Sequence, residues 1–516
     1  MAENEADVGE TRKDPVPQKK PKWNSFALAC AILASMTSIL LGYDIGVMSG
    51  ATIYIKEDLK VSDVKIEILS GIINLYSPIG SFIAGRTSDW IGRRYTIVLA
   101  CVIFFLGAIL MGYSPNYAFL MIGRFVAGIG IGFAFLIAPV YTSEISPTSS
   151  RGFLTSLPEV FLNGGILIGY ISNYGFSKLP LHLGWRLMLG ISAIPSLFLA
   201  IAVLAMPESP RWLVAKGRLG EATQVLYKIS LSKQEAQQRL ADIKETAGIP
   251  QNDNHDVVSL PNHKKQGEGV WQELFLYHTP AVRHIFIASL GIHFFAQATG
   301  IDAVVLYSPR IFEKAGIKSN RNKLLATVAV GFVKTSSILV ATFLLDRVGR
   351  RVLLLTSVSG LILSLVTLAV SLTIIDHSDT TIKWAIGLSI AAVLSYAGTF
   401  SIGSGPITWV YSSEIFPLRL RAQGVAVGAV VNRVTSGVIT MTFLSLSNAI
   451  TIGGAFFLFA GIAVTAWIFH YTMLPETRGK TLEEIEGSFG NFCRKNNNSA
   501  TAKGVNNQIQ LELSDQ

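Results

Sequence analysis

The sequence predicts an all-α membrane protein of twelve transmembrane helices arranged as two pseudo-symmetric six-helix bundles. Three observations carry this expectation. Of 516 residues, 50% are hydrophobic and only 15% charged, where a soluble domain carries roughly a quarter of its residues as Asp, Glu, Lys or Arg. Apolar runs of about 20 residues, each long enough to cross a ~30 Å hydrocarbon core as a helix, recur along nearly the whole chain. Short polar motifs of the first half return in matching loops of the second. With a mean hydropathy of +0.45, a soluble enzyme is excluded.

The first apolar run, 26–48, is too long and too polar at its end for a signal peptide, and no small-residue cleavage site follows it. It therefore reads as the first span. Further spans follow at 66–85, 95–113, 118–141, 153–174 and 186–206, and after a polar insert at 281–308, 322–345, 352–374, 383–411, 422–447 and 452–474. The insert joins a charge-patterned, helix-like stretch (Arg218 to Lys244) to a segment rich in Asn, Asp, His and Pro (Pro250 to Pro261), which reads as a link. The expected organisation is a polar tail over 1–25, a six-helix bundle over 26–206, a linker with short helices over 207–280, a second bundle over 281–474 and a tail over 475–516. Basic residues near span ends are retained on the cytoplasmic side, and the short loop from Gly85 to Arg94 holds Arg86, Arg93 and Arg94. Both termini are accordingly expected in the cytoplasm, and the polar extremes of the chain are expected to be disordered.

Several functional classes fall away. Three cysteines, with Cys30 and Cys101 inside apolar runs and Cys493 in the tail, support neither a disulfide framework nor a metal site. The net charge of +9 is dispersed through short loops without the basic, aromatic-interleaved patch of a nucleic-acid binder. Gly128-Ile-Gly130-Ile-Gly132 lacks the strand that precedes a dinucleotide loop and reads as close helix packing. No Walker sequence for ATP occurs, and no nucleophile–base constellation marks an enzyme. His293, inside span seven, reads as a satisfied core histidine rather than a proton relay.

An internal duplication organises what remains. Asp89-Trp-Ile-Gly92-Arg93-Arg94 returns as Asp346-Arg-Val-Gly349-Arg350-Arg351. Ser143-Glu144-Ile145, followed by Pro147 and Arg151, returns as Ser413-Glu414-Ile415 with Pro417 and Arg421. Pro207-Glu208-Ser209 after span six returns as Pro475-Glu476-Thr477 after span twelve. Two such repeats can rock as rigid halves about a site at the bilayer midplane. Placed at cytoplasmic helix ends, Arg86, Asp89, Arg93, Arg94, Glu144, Arg151, Glu208 and Arg211 in the first half, and Asp346, Arg350, Arg351, Glu414, Arg421 and Glu476 in the second, are expected to form ion-pair networks that latch an inner gate. The plainer alternative is that the basic residues only fix topology.

These motifs, with Gly85-Arg86-x-x-Asp89-x-x-Gly92-Arg93-Arg94, Pro207-Glu208-Ser209-Pro210-Arg211-Trp-Leu and Pro475-Glu476-Thr477-Arg-Gly, make the chain over roughly residues 25–485 resemble the sugar porter family of the major facilitator superfamily. Gly42-Tyr43-Asp44-Ile-Gly46 in span one resembles the proton-coupled members, and Leu157-Pro158-Glu159-Val160 in span five resembles plant polyol and monosaccharide transporters. The resemblance implies the major facilitator fold, a small-molecule polyol or sugar as substrate, the lipid bilayer of a plant plasma membrane as setting, and no obligate protein partner.

Ionisable residues at bilayer depth cost on the order of 2.5–3.5 kcal/mol each by insertion scales and are functional candidates by default. Asp44, Glu159 and Asp302 balance Arg124, Lys334 and Arg433, as expected around a wet cavity. Glu67 lies near a span end and reads as reaching the outer interface. A carboxyl whose burial or basic neighbour changes between conformations can load and release a proton, and Asp44 is the expected carrier, the proton being the only coupling ion and no cofactor being required. The resemblance makes Arg124 its partner and places Gln297, Asp302, Trp409 and Asn432 against substrate. The chain departs from the family where Glu159, Asp302 and Lys334 replace amides and Arg433 replaces a tryptophan. These charges suit a cavity for linear polyols as well as sugar rings, with Glu159–Arg433 and Asp302–Lys334 as expected pairs; the alternative is that they only compensate one another structurally. The expected activity is proton-coupled symport of polyols such as sorbitol, mannitol, xylitol or inositol-like compounds, and of monosaccharides, by alternating access. A proton-independent facilitator and a sugar-sensing membrane receptor are the competing readings.

Overall fold

The structure, a computed structural model, describes residues 24–147, 151–246, 248–250, 255–257, 280–378, 382–417 and 420–477; the side chains of 151–153, 246, 346 and 422 lie outside the description. Among the described residues, twelve helical spans are long and apolar enough to cross a membrane. The first six are α1 (Ser25–Leu59), α2 (Asp63–Ile91), α3 (Arg93–Gly112), α4 (Tyr117–Ile145), α5 (Arg151–Phe176) and the broken span α6 (Leu181–Gly190) with α7 (Ala193–Leu204). Three short helices follow, α8 (Pro210–Ala215), α9 (Leu219–Ile229) and α10 (Lys233–Thr246). The second six are α11 (Pro280–Ala298) with α12 (Ile301–Lys314), α13 (Asn320–Val348), α14 (Arg350–Asp376), α15 (Lys383–Ile402) with α16 (Ser404–Ile415), α17 (Arg421–Ile450) and α18 (Ile452–Met473). The end of the bundle that carries α8 to α10 is the linker side; the opposite end is the far side.

All twelve expected spans are present, but hydropathy misplaced several ends. Span one runs to Leu59, not to 48, because Asn24 caps its start, accepting from Phe26 N and Ala27 N at 2.9 and 3.0 Å, and only Lys60, at φ 48°, stops it. The apolar composition ends where the hydrocarbon ends, whereas helical hydrogen bonding continues past it. Span six starts at Leu181, not at 186, and breaks between Gly190 and Ala193. Spans seven and ten, expected as continuous over 281–308 and 383–411, break at Gly300 and Gly403. Gly300 is required twice over: its φ is 89°, and a Cβ there would lie 2.8 Å from the Phe459 ring.

Small residues let the helices approach to backbone contact. A Cβ on Gly46 of α1 would meet Ile166 O of α5 at 2.4 Å, and one on Gly165 would meet Ile39 O at 2.5 Å. The Gly128–Gly132 stripe packs as expected, Gly130 against Phe104 N (2.7 Å) on α3 and Gly132 against Ser77 O (2.2 Å) on α2. The two halves meet along α1, α2 and α5 on one side and α12, α13 and α17 on the other. That seam encloses the site.

Candidate functional site

The first buried charge is a closed pair. Arg124 Nη1 on α4 donates to both Asp44 carboxyl oxygens on α1 at 2.7 Å, with the side chains 1% and 2% exposed. Its Nε donates to Leu69 O on α2 at 3.1 Å, so one guanidinium ties three helices of the first half together. Breaking such a pair by removing one partner costs about 3–5 kcal/mol, whereas replacing both by a well-packed neutral pair is often near neutral.

Between the halves lies a small, largely enclosed polar cavity of about 40 Å³. It is lined by Glu159 of α5, Gln297 of α11, Asp302 of α12, Lys334 of α13, Trp409 of α16, and Asn432 and Arg433 of α17, so every residue expected to contact substrate reaches one chamber. The expected direct pairs are not formed. Among the described residues, Glu159 bonds Asn163 (Nδ2 to Oε1, 3.4 Å), Asp302 accepts from Ser436 Oγ, and Arg433 donates to Asn432 Oδ1 (3.0 Å) while lying over the Phe135 ring at 4.9 Å. The four charges instead line the same small cavity without pairing directly, where a ligand can complete their hydrogen bonding.

Trp409 stands edge to face between Phe135 of α4 (5.2 Å) and His293 of α11 (4.9 Å). His293 is fully buried against the indole, with Nε2 3.2 Å from Ser412 Oγ but Nδ1 without a hydrogen-bond partner among the described residues, so the expected satisfied core histidine is only half satisfied. Gln297 donates to Asn432 at 3.3 Å, while Gln297 Oε1 and Arg433 Nε are buried without a hydrogen-bond partner. An orphaned buried polar atom costs about 1–3 kcal/mol. Hydroxyl groups of a bound molecule would satisfy both.

At the linker side the duplicated motifs build duplicated clusters. Arg93 Nε pairs with Glu144 at 3.2 Å and Arg93 Nη1 with Asp89 at 3.2 Å, while Ser209 Oγ donates to Glu144. Glu208 accepts from Arg93 N at 2.8 Å and Arg94 N at 3.2 Å, capping α3; burial pushes its carboxyl above the usual range, against the backbone N–H bonds that hold it down. In the second half Arg350 pairs with Glu414 at 3.0 Å, Thr477 Oγ1 donates to Glu414 at 2.8 Å, and Glu476 accepts from Arg350 N and Arg351 N at 3.0 Å, capping α14. Among the described residues these bonds join helices within a half.

Some residues expected in that network stand apart. Arg86 is exposed and lies over Phe82, Arg211 is exposed, and Arg421 donates to Phe416 O rather than to a carboxylate. The side chains of Arg151 and Asp346 lie outside the described residues. Cross-half bonds lie instead toward the far side: Arg310 to Asp63 at 2.6 Å, Asn74 to Ser436 at 3.0 Å, Tyr170 to Val305 O at 2.7 Å, and Glu67 accepting from Ser445 N and Oγ at 2.7 and 2.5 Å. Glu67 is thus 1% exposed and not an interfacial side chain. Nothing in hydropathy signals this, because its cover comes from the other half of the chain.

Two six-helix units closing on a polar central chamber, with a buried ion pair beside it, define a membrane transporter of small hydrophilic molecules. The sequence profile of the Sugar (and other) transporter family matches residues 30–489. The chain is 67% identical over 477 residues to Polyol transporter 5 of Arabidopsis thaliana, covering 92% of this chain and 88% of that one. It is 33% identical over 455 residues to the glucose transporter GlcP of Staphylococcus epidermidis, covering 88% and 95%. Its fold matches that of the proton:xylose symporter XylE bound to 6-bromo-6-deoxy-D-glucose at a TM-score of 0.74, with 24% identity over 90% of this chain and all of that one. The chain belongs to the sugar porter family of the major facilitator superfamily.

Proposed function

We propose that the protein is a proton-coupled symporter that carries polyols, and monosaccharides with them, into the cytoplasm across a plant plasma membrane. The observation that carries the coupling is the Asp44–Arg124 pair, buried to 1–2% exposure at 2.7 Å and bonded onward to α2. Protonation of Asp44 removes the carboxylate charge, releases Arg124 and loosens its hold on the α2 segment that forms the far-side seam. The proton is the coupling ion, and no cofactor enters the cycle.

Substrate class is supported by two things. The relative at 67% identity is named a polyol transporter. The cavity offers both hydrogen-bond donors (Lys334, Arg433) and acceptors (Glu159, Asp302, Gln297 Oε1), as an acyclic polyhydroxy chain demands, with Trp409 as the apolar face for C–H groups. In this reading Gln297, Asp302, Asn432, Glu159, Lys334 and Arg433 bind hydroxyls, and the linker side faces the cytoplasm together with both termini.

The test is uptake into proteoliposomes over a panel of sorbitol, mannitol, xylitol, inositol, glucose and xylose, with proton flux recorded in the same vesicles. Polyol entry that alkalinises the outer medium supports symport. Entry without any proton movement makes the protein a facilitator, and binding without entry makes it a receptor.

A further inference from the structure

The far-side seam and the cavity share one hydroxyl. Asn74 Nδ2 on α2 donates to Ser436 Oγ on α17 at 3.0 Å, and Ser436 Oγ in turn donates to Asp302 Oδ2 on α12. Ser436 is fully buried, Asn74 is 7% exposed, and Asp302 lines the cavity. This chain of two bonds therefore runs from the chamber, through the second half, into the first. Around it the two helices leave no slack: a Cβ on Gly437 would meet Leu75 Cδ2 at 2.8 Å, and one on Gly71 would meet Met441 Cγ at 2.4 Å. The same stretch of α2 receives Arg124 Nε through Leu69 O.

We propose that Ser436 is a positioning residue that reports occupancy of the cavity to the far-side seam, an inference that rests on the polyol reading of the site. A serine hydroxyl has a single proton to donate. While Asp302 takes that proton, the Ser436 lone pairs face Asn74 and the seam is closed. A substrate hydroxyl that donates to the Asp302 carboxyl competes for the same acceptor, turns the Ser436 proton away, and removes the geometry that holds Asn74. Substrate then loosens the seam through a side chain it need not touch. Because Leu69 and Asn74 belong to one helical segment, proton binding at Asp44 and substrate arrival at Asp302 act on the same piece of backbone.

The experiment uses the full-length chain in proteoliposomes with Ser70→Cys, a small buried position on α2, as reporter for a membrane-impermeant maleimide added at the far side. Saturating sorbitol is expected to raise the labelling rate at least five-fold in this background. Adding Ser436→Ala should leave sorbitol binding in place but make labelling indifferent to sorbitol, and Ser436→Thr should restore the response. Asn74→Leu, which cuts only the seam arm, should uncouple in the same way. Sorbitol-dependent labelling that persists in Ser436→Ala and in Asn74→Leu overturns the relay. So does loss of binding in Ser436→Ala with Asn74→Leu still responsive, which would make Ser436 a binding group. Failure of every polyol in the panel to bind the unmodified chain is a separate result, and it strikes the polyol reading itself.

Discussion

The two halves are alike where they end and unlike where they meet. At the linker side Arg93, Glu144, Glu208 and Ser209 are matched by Arg350, Glu414, Glu476 and Thr477, down to a carboxylate capping the next helix and a tyrosine hydroxyl, Tyr141 or Tyr411, donating to Pro207 O or Pro475 O at 2.7 or 2.9 Å. At the membrane centre the first half holds a closed ion pair, Asp44–Arg124, whereas Lys334, Asp302 and Arg433 of the second half stand open around a chamber. Duplication thus kept the parts that make each half rigid and let the interior diverge. On the proposed reading the unlike interiors place proton handling at Asp44 in the first half and most substrate-binding groups in the second, with Glu159 as the first half's contribution to the chamber.

The largest expected effect breaks the first half's role alone. Asp44→Asn should abolish accumulation of sorbitol against its gradient, by about a hundred-fold or more, while sorbitol counterflow in proteoliposomes continues. Accumulation unchanged by this substitution removes Asp44 as the coupling residue. Next comes the second half: Gln297→Ala should raise the apparent KM for polyol about five- to thirty-fold, the equivalent of one lost hydrogen bond of about 1–2 kcal/mol, and leave the proton dependence of transport as it was. A shift in proton dependence instead would mean that the two functions are not separated between the halves.

The matched ends supply smaller effects. Glu208→Ala and Glu476→Ala each remove a helix cap and should destabilise the protein in detergent to a similar extent, about 1 kcal/mol each, read from thermal unfolding. Strongly unequal losses would show that the duplication is not energetically preserved. The smallest effect is in pH. Burial raises the Glu208 carboxyl above its ordinary range, so its protonated form is favoured in the fold. This contribution to stability is fully present below the ordinary glutamate pKa and is lost as pH rises through the raised value. Glu208→Gln should flatten the pH dependence of the thermal midpoint in that window, which a scan from pH 4 to pH 7, roughly, would reveal.

What could be read from the primary chain follows the range of the forces involved. The twelve spans were legible because burial in hydrocarbon demands long apolar runs. The breaks at Gly300 and Gly403 were not, because a single buried glycine inside a long, mainly apolar run leaves no mark in hydropathy. Asp44, Arg124 and the cavity residues announced themselves by the cost of polarity at bilayer depth, and they converge on two neighbouring sites. Their partners did not: Glu67, Asn74 and Ser436 owe their bonds to elements some 360 or more residues away in the chain, and Arg433 found a neighbouring amide and an aromatic face in place of the acid expected for it. The duplicated acids Glu208 and Glu476 cap the first turns of α3 and α14, a role that the spacing of their motifs alone does not reveal.

One contact of the insert changes where the molecule must bend. Arg239 on α10 donates to the last carbonyls of α4, at Glu144, Ile145 and Ser146 (3.2–3.4 Å), and Asn24 at the head of α1 grips the carbonyls of Lys228 and Ser230 at 2.9 and 2.8 Å. The short helices are thereby bolted to the first half as ballast, and they do not form a free tether. Any swivel of the first half therefore carries α8 to α10 with it, so a cut placed before α8 would unseat this ballast.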